Sequence, residues 1–296
     1  MIRILGTIFA GLLGLAFGSF LNVCLSRWPE GESVVRPRSH CRHCSHTLAW
    51  WENVPLVSWI ALRGRCSTCR AWIGWRYPLV ELALGGIWGL VAWRLMGQVL
   101  DPRFGFPSRY AFPYIQLEFA IGMMIFYWVL VGLAVLDAEH LWLPDVVTLS
   151  GIALGIAFYV LVSEQVGWFF VMEPTPWKEI GERMLAAAAA AGLILLIRWV
   201  YWLIRRREGI GLGDAKLMAL LAAWLGLPGA LLAFGLGIVL GALAAVVLLA
   251  VPSARRDRET WAFSKLPLGT FLCIGGIVSS LWGQPIIAAY LRWAGF

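Results

Sequence analysis

The chain has 296 residues, of which 60% are hydrophobic and only 14% are charged, and its mean hydropathy is +0.76. Soluble domains are closer to half apolar and a quarter charged, so this composition excludes an ordinary soluble protein and predicts a polytopic membrane protein. The formal net charge of +7 comes from basic loops between apolar segments and gives no reason to expect nucleic-acid binding.

Eight apolar segments are long enough, or nearly so, to cross a bilayer as helices, which takes roughly 20 residues. The chain is therefore predicted to be an all-α polytopic membrane protein with about eight transmembrane helices. These helices are predicted at residues 4–26, 78–97, 113–136, 146–163, 184–204, 214–226, 229–251 and 266–290.

The first segment also has features of a cleaved signal peptide, with Arg3 before an apolar run and small residues at Gly18 and Ser19. Cleavage there would place the arginine-rich loop that follows outside the cell, against the usual charge rule. The apolar run also continues past the small residues. We therefore predict a retained first transmembrane helix over residues 1–26.

The only long polar stretch, residues 27–77, separates this helix from a membrane core predicted over residues 78–296. It contains two C-x2-C pairs, which together supply four cysteines: Cys41, Cys44, Cys66 and Cys69. Two such pairs at about this spacing are typical of a four-thiolate zinc site. Two disulfides are the alternative, but the predicted cytoplasmic location is reducing.

The zinc site is expected to be structural, because four protein ligands leave no open position for water and a module this small needs a metal to fold. His43 and His46 lie near the first pair and could replace or support a thiolate. We interpret them as ordinary loop residues. Cys24 and Cys273 lie in apolar segments and are predicted to be buried thiols.

Acidic residues at the ends of transmembrane segments are costly to place, so a functional role is the default interpretation. Asp137 ends the third predicted helix, where the helix dipole repels an anion. Asp145 follows Pro144 at the start of the fourth helix, and it could simply be a helix cap. Glu81, near the start of the second helix, is expected to pair with an arginine of the polar loop.

A glycine-rich motif precedes the fourth notable acid, Asp214, with alternating glycines at Gly209, Gly211 and Gly213. Glycines allow close backbone approach, which would bring a substrate strand or the other aspartate within reach. A flexible loop followed by a helix cap is the alternative. The following segment, 214–226, covers only about 20 Å at 1.5 Å per residue. Either the next glycines and proline form a tight turn with a shifted boundary, or Asp214 lies below the interface in a wet cavity.

Basic residues indicate the orientation. Residues 27–77 carry eight of the 24 lysines and arginines, and segments 205–216 and 252–265 carry four each. Eight helices put these three loops on one side, which the positive-inside rule makes cytoplasmic. Both termini then face outward, and both aspartates lie at the cytoplasmic ends of their helices.

Two aspartates that share one proton can hydrolyse a peptide: the ionised one takes a proton from water and the protonated one polarises the scissile carbonyl. A proton- or metal-coupled transporter that uses intramembrane carboxylates is the alternative function. It would predict acids near the middle of the bilayer and an internal repeat. Neither is evident in this sequence.

The chain resembles the type IV prepilin peptidases, the bifunctional leader peptidase/N-methyltransferases of bacterial pilus and type II secretion systems. The motifs that carry the resemblance extend from the first helix into the second: Gly18-Ser19-Phe20-Leu21-Asn22-Val23 with Arg27 and Pro29, Pro37-Arg38-Ser39, the two cysteine pairs, Glu52-Asn53-Val54-Pro55, Arg63-Gly64-Arg65-Cys66 and Arg76-Tyr77-Pro78-Leu79-Val80-Glu81.

The resemblance places the catalytic aspartates at Asp137, eight residues before Asp145, and at Asp214 of the Gly-x-Gly-Asp motif. Their expected supporting residues are Gly211, Gly213, Asp145 and Lys216. The chain departs from the family pattern in two segments. Glu139 replaces a second aspartate that often follows the first, and a Pro-Phe-Gly-Pro-Phe segment appears as Pro267-Leu268-Gly269-Thr270-Phe271.

The resemblance also implies the substrates, the site of cleavage and a second reaction. The expected substrates are prepilins or pseudopilins, cleaved after a glycine on the cytoplasmic face of the bacterial inner membrane. The new N-terminus would then be methylated from S-adenosylmethionine, and the module 27–77 is expected to be needed for that step. Both termini of the chain would be periplasmic.

Overall fold

The computed structural model describes residues 1–99, 112–170, 176–207, 211–250 and 266–295. Within these ranges it is helical, and β-structure is limited to two isolated bridges. Seven of the helices are long and apolar enough to cross a membrane, and α2 is a short helix in the polar stretch. In chain order the helices are α1 (Ile2–Arg27), α2 (Val57–Ala61), α3 (Arg76–Val99), α4 (Phe112–His140), α5 (Asp145–Phe170), α6 (Pro176–Arg205), α7 (Leu212–Ala250) and α8 (Leu268–Trp293).

The predicted helices are all present, but three of them extend well beyond the predicted segments. Helix α5 ends at Phe170, seven residues after the predicted 163. Helix α6 begins eight residues before the predicted 184. The prediction missed these first turns because they carry charged residues such as Lys178 and Glu182. Helix α4 continues past Asp137 to His140. The Asp137 side chain therefore projects from the last turn of a helix rather than from a loop.

Helix α7 is interrupted at Gly226, whose φ of 71° and ψ of 171° are not helical. This conformation is essentially restricted to glycine, and Pro228 lacks the N–H that a continuous helix would need there. The predicted turn is thus confirmed. The first segment, 212–225, starts only two residues before the prediction and spans about 21 Å, so it remains short.

The two segments of α7 run in opposite directions. Along α8, Gly229 lies against Ser279, Gly237 against Leu272 and Gly241 against Phe271, so the second segment is antiparallel to α8. It therefore ends beside the first turn of α8. Because Gly213, at the start of the first segment, is near that same turn through Leu143, the chain reverses at Gly226. If both segments of α7 cross the membrane, the described helices make eight crossings.

Contacts divide the chain into two compact units, Met1–Gly132 and Leu133–Phe296, with the division inside α4. In the first unit, α1 and α3 pack closely through glycines. A Cβ on Gly14 would lie 2.6 Å from the Leu84 carbonyl oxygen, and one on Gly18 would lie 2.6 Å from the Glu81 Cα. Small residues at such a crossing allow two helix backbones to approach in a membrane.

The polar stretch of this unit forms two similar turns, each around one cysteine pair, which we call knuckles: residues 40–47 hold Cys41 and Cys44, and residues 65–72 hold Cys66 and Cys69. His40 bridges to Thr47 in the first and Arg65 to Trp72 in the second. In each knuckle the residue after the second cysteine has a positive φ, 56° at Ser45 and 59° at Arg70. The chain before the first knuckle is held by the buried Arg27, whose guanidinium donates to the carbonyls of Ser33, Pro37 and Arg38.

In the second unit α7 packs against α5, α6 and α8. Its buried face includes Leu217, Met218, Leu220 and Leu221. The Trp224 indole N–H donates to the Gly151 carbonyl of α5 at 2.8 Å. Helix α8 approaches the α7 backbone at Ala233 through Gly275. The helix ends that carry the notable acids are thereby brought to one end of this unit.

Candidate functional site

Asp137 lies in the last turn of α4 and is only 6% exposed. Its Oδ2 accepts a hydrogen bond from the Thr270 amide at 2.7 Å and another from the Thr270 hydroxyl at 3.3 Å. The Gly269 amide also donates to this carboxylate. The first turn of α8 therefore holds Asp137 with its free N–H groups, which are available because the start of a helix leaves them without intrahelical partners.

Gly269 is the point of closest approach between this turn and Asp137. A Cβ on Gly269 would lie 2.9 Å from both Cγ and Oδ2 of Asp137 and 3.2 Å from Leu143 Cδ1. Real Cβ atoms do not approach other heavy atoms so closely. The absence of a side chain at Gly269 is what allows the carboxylate to reach the amides.

Asp214 lies in the first turn of α7 and is half-buried. Its Oδ2 accepts the Gly211 amide at 3.1 Å. Gly213 faces Leu143, with its Cβ position 3.2 Å from Leu143 Cδ1. The residue that approaches Gly213 is thus Leu143 rather than the other aspartate, and neither Gly211 nor Gly213 has a positive φ. Gly209 lies outside the described residues.

The two aspartates lie at the same end of the second unit. Each is within electrostatic range of the other, and both are within range of the buried Cys273 thiol of α8. Leu143 contacts both glycine positions, Gly213 and Gly269, and so lies beside both acids. Sequence reasoning selected the two aspartates, but it did not identify Leu143, Gly269 or Thr270 as their supports.

Asp145 and Lys216, which is two residues after Asp214, form an ion pair, with Lys216 Nζ 2.6 Å from Asp145 Oδ1. Both side chains are substantially exposed, at 34% for Lys216 and 61% for Asp145. The pair joins the start of α5 to the start of α7. Asp145 is therefore not only the first residue of its helix, as the simple capping interpretation held, but also a partner of Lys216.

In the first unit the four cysteines of the two knuckles come together. Their sulfur atoms all lie within 4.8 Å of one another, with Cys41 to Cys69 at 3.8 Å and Cys44 to Cys66 at 4.0 Å. A zinc ion about 2.3 Å from each of four tetrahedral sulfurs would hold them about 3.8 Å apart. The observed spacing fits such an ion, and it is far beyond the roughly 2.05 Å of a disulfide.

The backbone around the cluster also favours a negatively charged sulfur. The Cys69 amide donates to Cys66, and this lowers the pKa of the Cys66 thiol to about 6 against the opposing effect of burial. Neither histidine near the first pair joins the cluster among the described residues. His46 instead faces Glu52, with Nε2 to Oε2 at 3.4 Å.

Glu52 connects the two knuckles, which sequence reasoning did not foresee. Its buried carboxylate accepts the Ala49 amide at 2.7 Å beside the first knuckle, and the Ser67 hydroxyl within the second. The hydrogen bond from Ser67 is the main reason why the pKa of Glu52 is lower than usual. As predicted, Cys24 and Cys273 are buried free thiols.

The fold is an all-helical membrane fold with two aspartates at one end of its helices. Membrane-embedded aspartic peptidases are a class of protein with this arrangement. Comparison with known families makes the assignment specific. Residues 124–246 match the type IV leader peptidase family, and residues 12–95 match the bacterial peptidase A24 N-terminal domain. The chain belongs to the type IV leader peptidase family.

Curated relatives similar to this chain carry the name prepilin leader peptidase/N-methyltransferase. The protein from Stutzerimonas stutzeri is 35% identical, with 96% of this chain and 93% of the relative covered. The Pseudomonas aeruginosa protein is 34% identical over the same shares. The protein from Burkholderia pseudomallei is 36% identical, over 94% of this chain and 85% of the relative. No solved structure matches the chain.

These comparisons do not favour the alternative prediction of a coupled transporter. Within the described residues, Asp137, Asp145 and Asp214 converge at one end of the helices of the second unit. Acids grouped at one end suit a reaction at a membrane surface better than an ion path through the bilayer.

Proposed function

We propose that this protein is a membrane-embedded aspartic endopeptidase that cleaves the leader peptides of type IV prepilins or type II secretion pseudopilins, and then methylates the new N-terminus. Membership of the type IV leader peptidase family supports this activity. The observation that carries the proposal is that Asp137 and Asp214 lie within electrostatic range of each other at the same end of the second unit, although 77 residues separate them in sequence.

The hydrogen bonds suggest different roles for the two acids. A carboxylate that accepts more hydrogen bonds is the better stabilised anion. Asp137 accepts donors from Thr270 and Gly269, whereas Asp214 accepts the Gly211 amide. We therefore assign Asp137 as the general base and Asp214 as the acid that holds the shared proton.

In the reaction, Asp137 takes a proton from water as the water oxygen bonds to the scissile carbonyl carbon, and Asp214 gives its proton to the carbonyl oxygen. The carbon–nitrogen bond then breaks. The proton on Asp137 passes to the leaving amine, and the hydroxyl proton of the intermediate returns to Asp214. Both carboxyls thereby regain their starting states, as a catalyst requires.

The cysteine cluster is proposed to hold one structural zinc ion through Cys41, Cys44, Cys66 and Cys69. The sulfur spacing supports zinc, as does the small apolar core of the knuckles. S-adenosylmethionine is proposed as the second cofactor, because the relatives are named as N-methyltransferases. When bound, it supplies a methyl group carried by a positively charged sulfur.

We place the protein in the bacterial inner membrane, with the acid pair and the cysteine cluster facing the cytoplasm. The concentration of basic residues in segments 27–77, 205–216 and 252–265 supports this orientation. Both termini are then periplasmic. The lipid bilayer and a prepilin or pseudopilin are the expected partners.

Purified variants test the peptidase assignment. Asp137→Asn and Asp214→Asn should each reduce cleavage of a leader-bearing substrate by at least about a thousandfold, since neither variant retains an acid pair. Glu182→Gln is the matched control, because it neutralises an exposed acid of the same unit. Mass spectrometry of the substrate measures trimming and methylation together. Normal cleavage by either aspartate variant would show that the assignment is wrong.

A further inference from the structure

A second site lies in the first unit. A cavity of about 220 Å³ is bounded by α1, the start of α3 and the two knuckles. Neither Asp137 nor Asp214 lines this cavity. The polar side chains nearest the helices are Ser19, Asn22, Arg27 and Glu81, and the aromatic lining is Trp59, Trp72 and Tyr77.

The helix crossing explains why polar groups are buried here. Because Gly18 brings α1 against the α3 backbone at Glu81, the next polar residues of α1 face the first turns of α3. The Ser19 hydroxyl hydrogen-bonds to Glu81. The Asn22 amide nitrogen donates to the Tyr77 carbonyl at 3.0 Å.

Asn22, which lines this cavity, has an unsatisfied acceptor. The side chain is 2% exposed, and its Oδ1 is buried without a hydrogen-bond partner among the described residues. The amide cannot simply be flipped, because its nitrogen is needed by the Tyr77 carbonyl. A buried acceptor without a partner is costly, so the site is completed by a ligand that brings a donor.

Glu81 adds a buried carboxylate to the same wall. It is 6% exposed, and its Oε2 accepts the Leu56 amide at 2.8 Å. The expected ion pair with an arginine is wrong for the described part of the chain, where no cation pairs with Glu81. Buried acids are normally paired.

Neighbouring cations are already engaged elsewhere. Arg27 donates to three backbone carbonyls, at 2.7 Å to Ser33, 2.8 Å to Pro37 and 3.4 Å to Arg38. Arg42 pairs with Glu30 at 2.7 Å and Glu32 at 3.3 Å. Glu81 and Asn22 thus line a cavity whose wall also contains the aromatic side chains of Trp59 and Trp72.

We propose that this cavity binds an aliphatic ammonium or sulfonium group, with the Glu81 carboxylate and the Asn22 carbonyl oxygen as its acceptors. This inference rests on the proposed function, which provides two ligands of that chemistry. One is S-adenosylmethionine, which carries both a sulfonium and an ammonium. The other is the free N-terminal amine of the cleaved substrate. The orphaned Asn22 oxygen fits either cation.

Equilibrium dialysis of the full-length protein in detergent micelles tests the proposal. The probes are labelled S-adenosylmethionine, a peptide with a free N-terminal amine and the same peptide N-acetylated. Glu81→Gln should weaken binding of the ammonium or sulfonium ligand by about 10- to 100-fold, because one charged hydrogen bond is lost. Asn22→Leu should weaken the same ligand, and Glu182→Gln, the matched control, should not.

The arms separate the two sources. If Glu81→Gln weakens binding of S-adenosylmethionine, the ligand of the cavity is the methyl donor. If it weakens only binding of the free-amine peptide, and the wild type does not bind the acetylated peptide, the ligand is the substrate amine. Unchanged binding of both ligands by Glu81→Gln would overturn the proposal, as would wild-type protein that binds neither.

A second measurement needs no variant. Ultraviolet cross-linking of the bound ligand to the wild type should label peptides within residues 19–81, and labelling elsewhere would overturn the proposal. Leader cleavage by the same wild-type preparation is measured in parallel. Protein that cleaves but binds neither cation refutes the cavity alone, whereas protein that fails to cleave refutes the proposed function.

Discussion

Asp137 is positioned by a turn of the chain that lies more than 130 residues away. The Thr270 amide and hydroxyl reach it because Gly269 carries no side chain. A proline at position 270 would have no N–H to donate to Asp137, so the identity of this residue matters for how the carboxylate is held.

Adding one methyl group to Gly269 should therefore impair the enzyme. In Gly269→Ala the new carbon would fall 2.9 Å from the Asp137 Cγ, so either the carboxylate or the turn must move. A displacement of about 1 Å at a reacting group costs on the order of a hundredfold in rate. The kcat/KM for leader cleavage should fall by about this factor.

Gly235→Ala is the matched control, because a Cβ at Gly235 of α7 would meet nothing within 4 Å. Its cleavage rate should remain at the wild-type level. A Gly269→Ala enzyme as active as the control would mean that the contact between this turn and Asp137 has no part in catalysis.

The residue scale also shows how far the sequence could lead. Asp137 and Asp214 were predictable because an acid beside an apolar helix is unusual, and because the glycine motif accompanies one of them. Thr270 was not predictable as a partner, since nothing local to it or to Asp137 indicates that α8 starts beside the end of α4. The lack of a salt bridge at Glu81 likewise depends on where Arg27 and Arg42 find their partners.

At the scale of the element, the interruption of α7 depends on one backbone conformation. Gly226 has a φ of 71° and a ψ of 171°, a region that is essentially closed to residues with a Cβ. A Cβ there would also approach Arg183 Nη1 at 3.3 Å. We expect Gly226→Ala to lower the free energy of unfolding by about 1–3 kcal/mol.

Thermal unfolding in micelles measures this effect. Gly192→Ala, at a helical position of α6 with nothing within 4 Å of its Cβ, should be neutral or slightly stabilising, because alanine favours helix. Equal melting temperatures for the two variants would argue against a strained turn at Gly226.

We expect the stability of the cysteine module to depend on a bound metal. Purified wild type should contain about one zinc per chain. Cys41→Ser and Cys66→Ser, one from each knuckle, should each lose it, because three thiolates no longer complete the tetrahedral set. Cys24→Ala is the control, since this buried thiol of α1 is not part of the cluster. Absence of any bound metal in wild type would rule out the site.

Elements were predicted from sequence most reliably where the signal is local. Apolar length identified the helices, C-x2-C spacing identified the cluster, and Gly226 with Pro228 identified the turn. Helix ends were less well predicted. The first turns of α6 and the last turn of α4 are polar or charged, and hydropathy alone does not distinguish them from loops. Glu52 was missed because it joins two knuckles that are distant in sequence.

On the scale of the whole molecule, the reversal at Gly226 determines the topology. If α7 crossed the membrane once, the described helices would make seven crossings and the termini would lie on opposite sides. Because its second segment is antiparallel to α8 and returns to the end where Asp137 and Asp214 lie, we expect eight crossings. With eight crossings both termini are predicted to face the side opposite the basic loops.

Reporter fusions distinguish these two topologies. Alkaline phosphatase, which is active only outside the cytoplasm, should be active when fused after Phe296 and inactive when fused after Arg207, which follows α6 on the basic side. Green fluorescent protein fused at the same two positions should give the opposite pattern. An inactive phosphatase with a fluorescent fusion at Phe296 would mean seven crossings, and the reversal inferred at Gly226 would then be wrong.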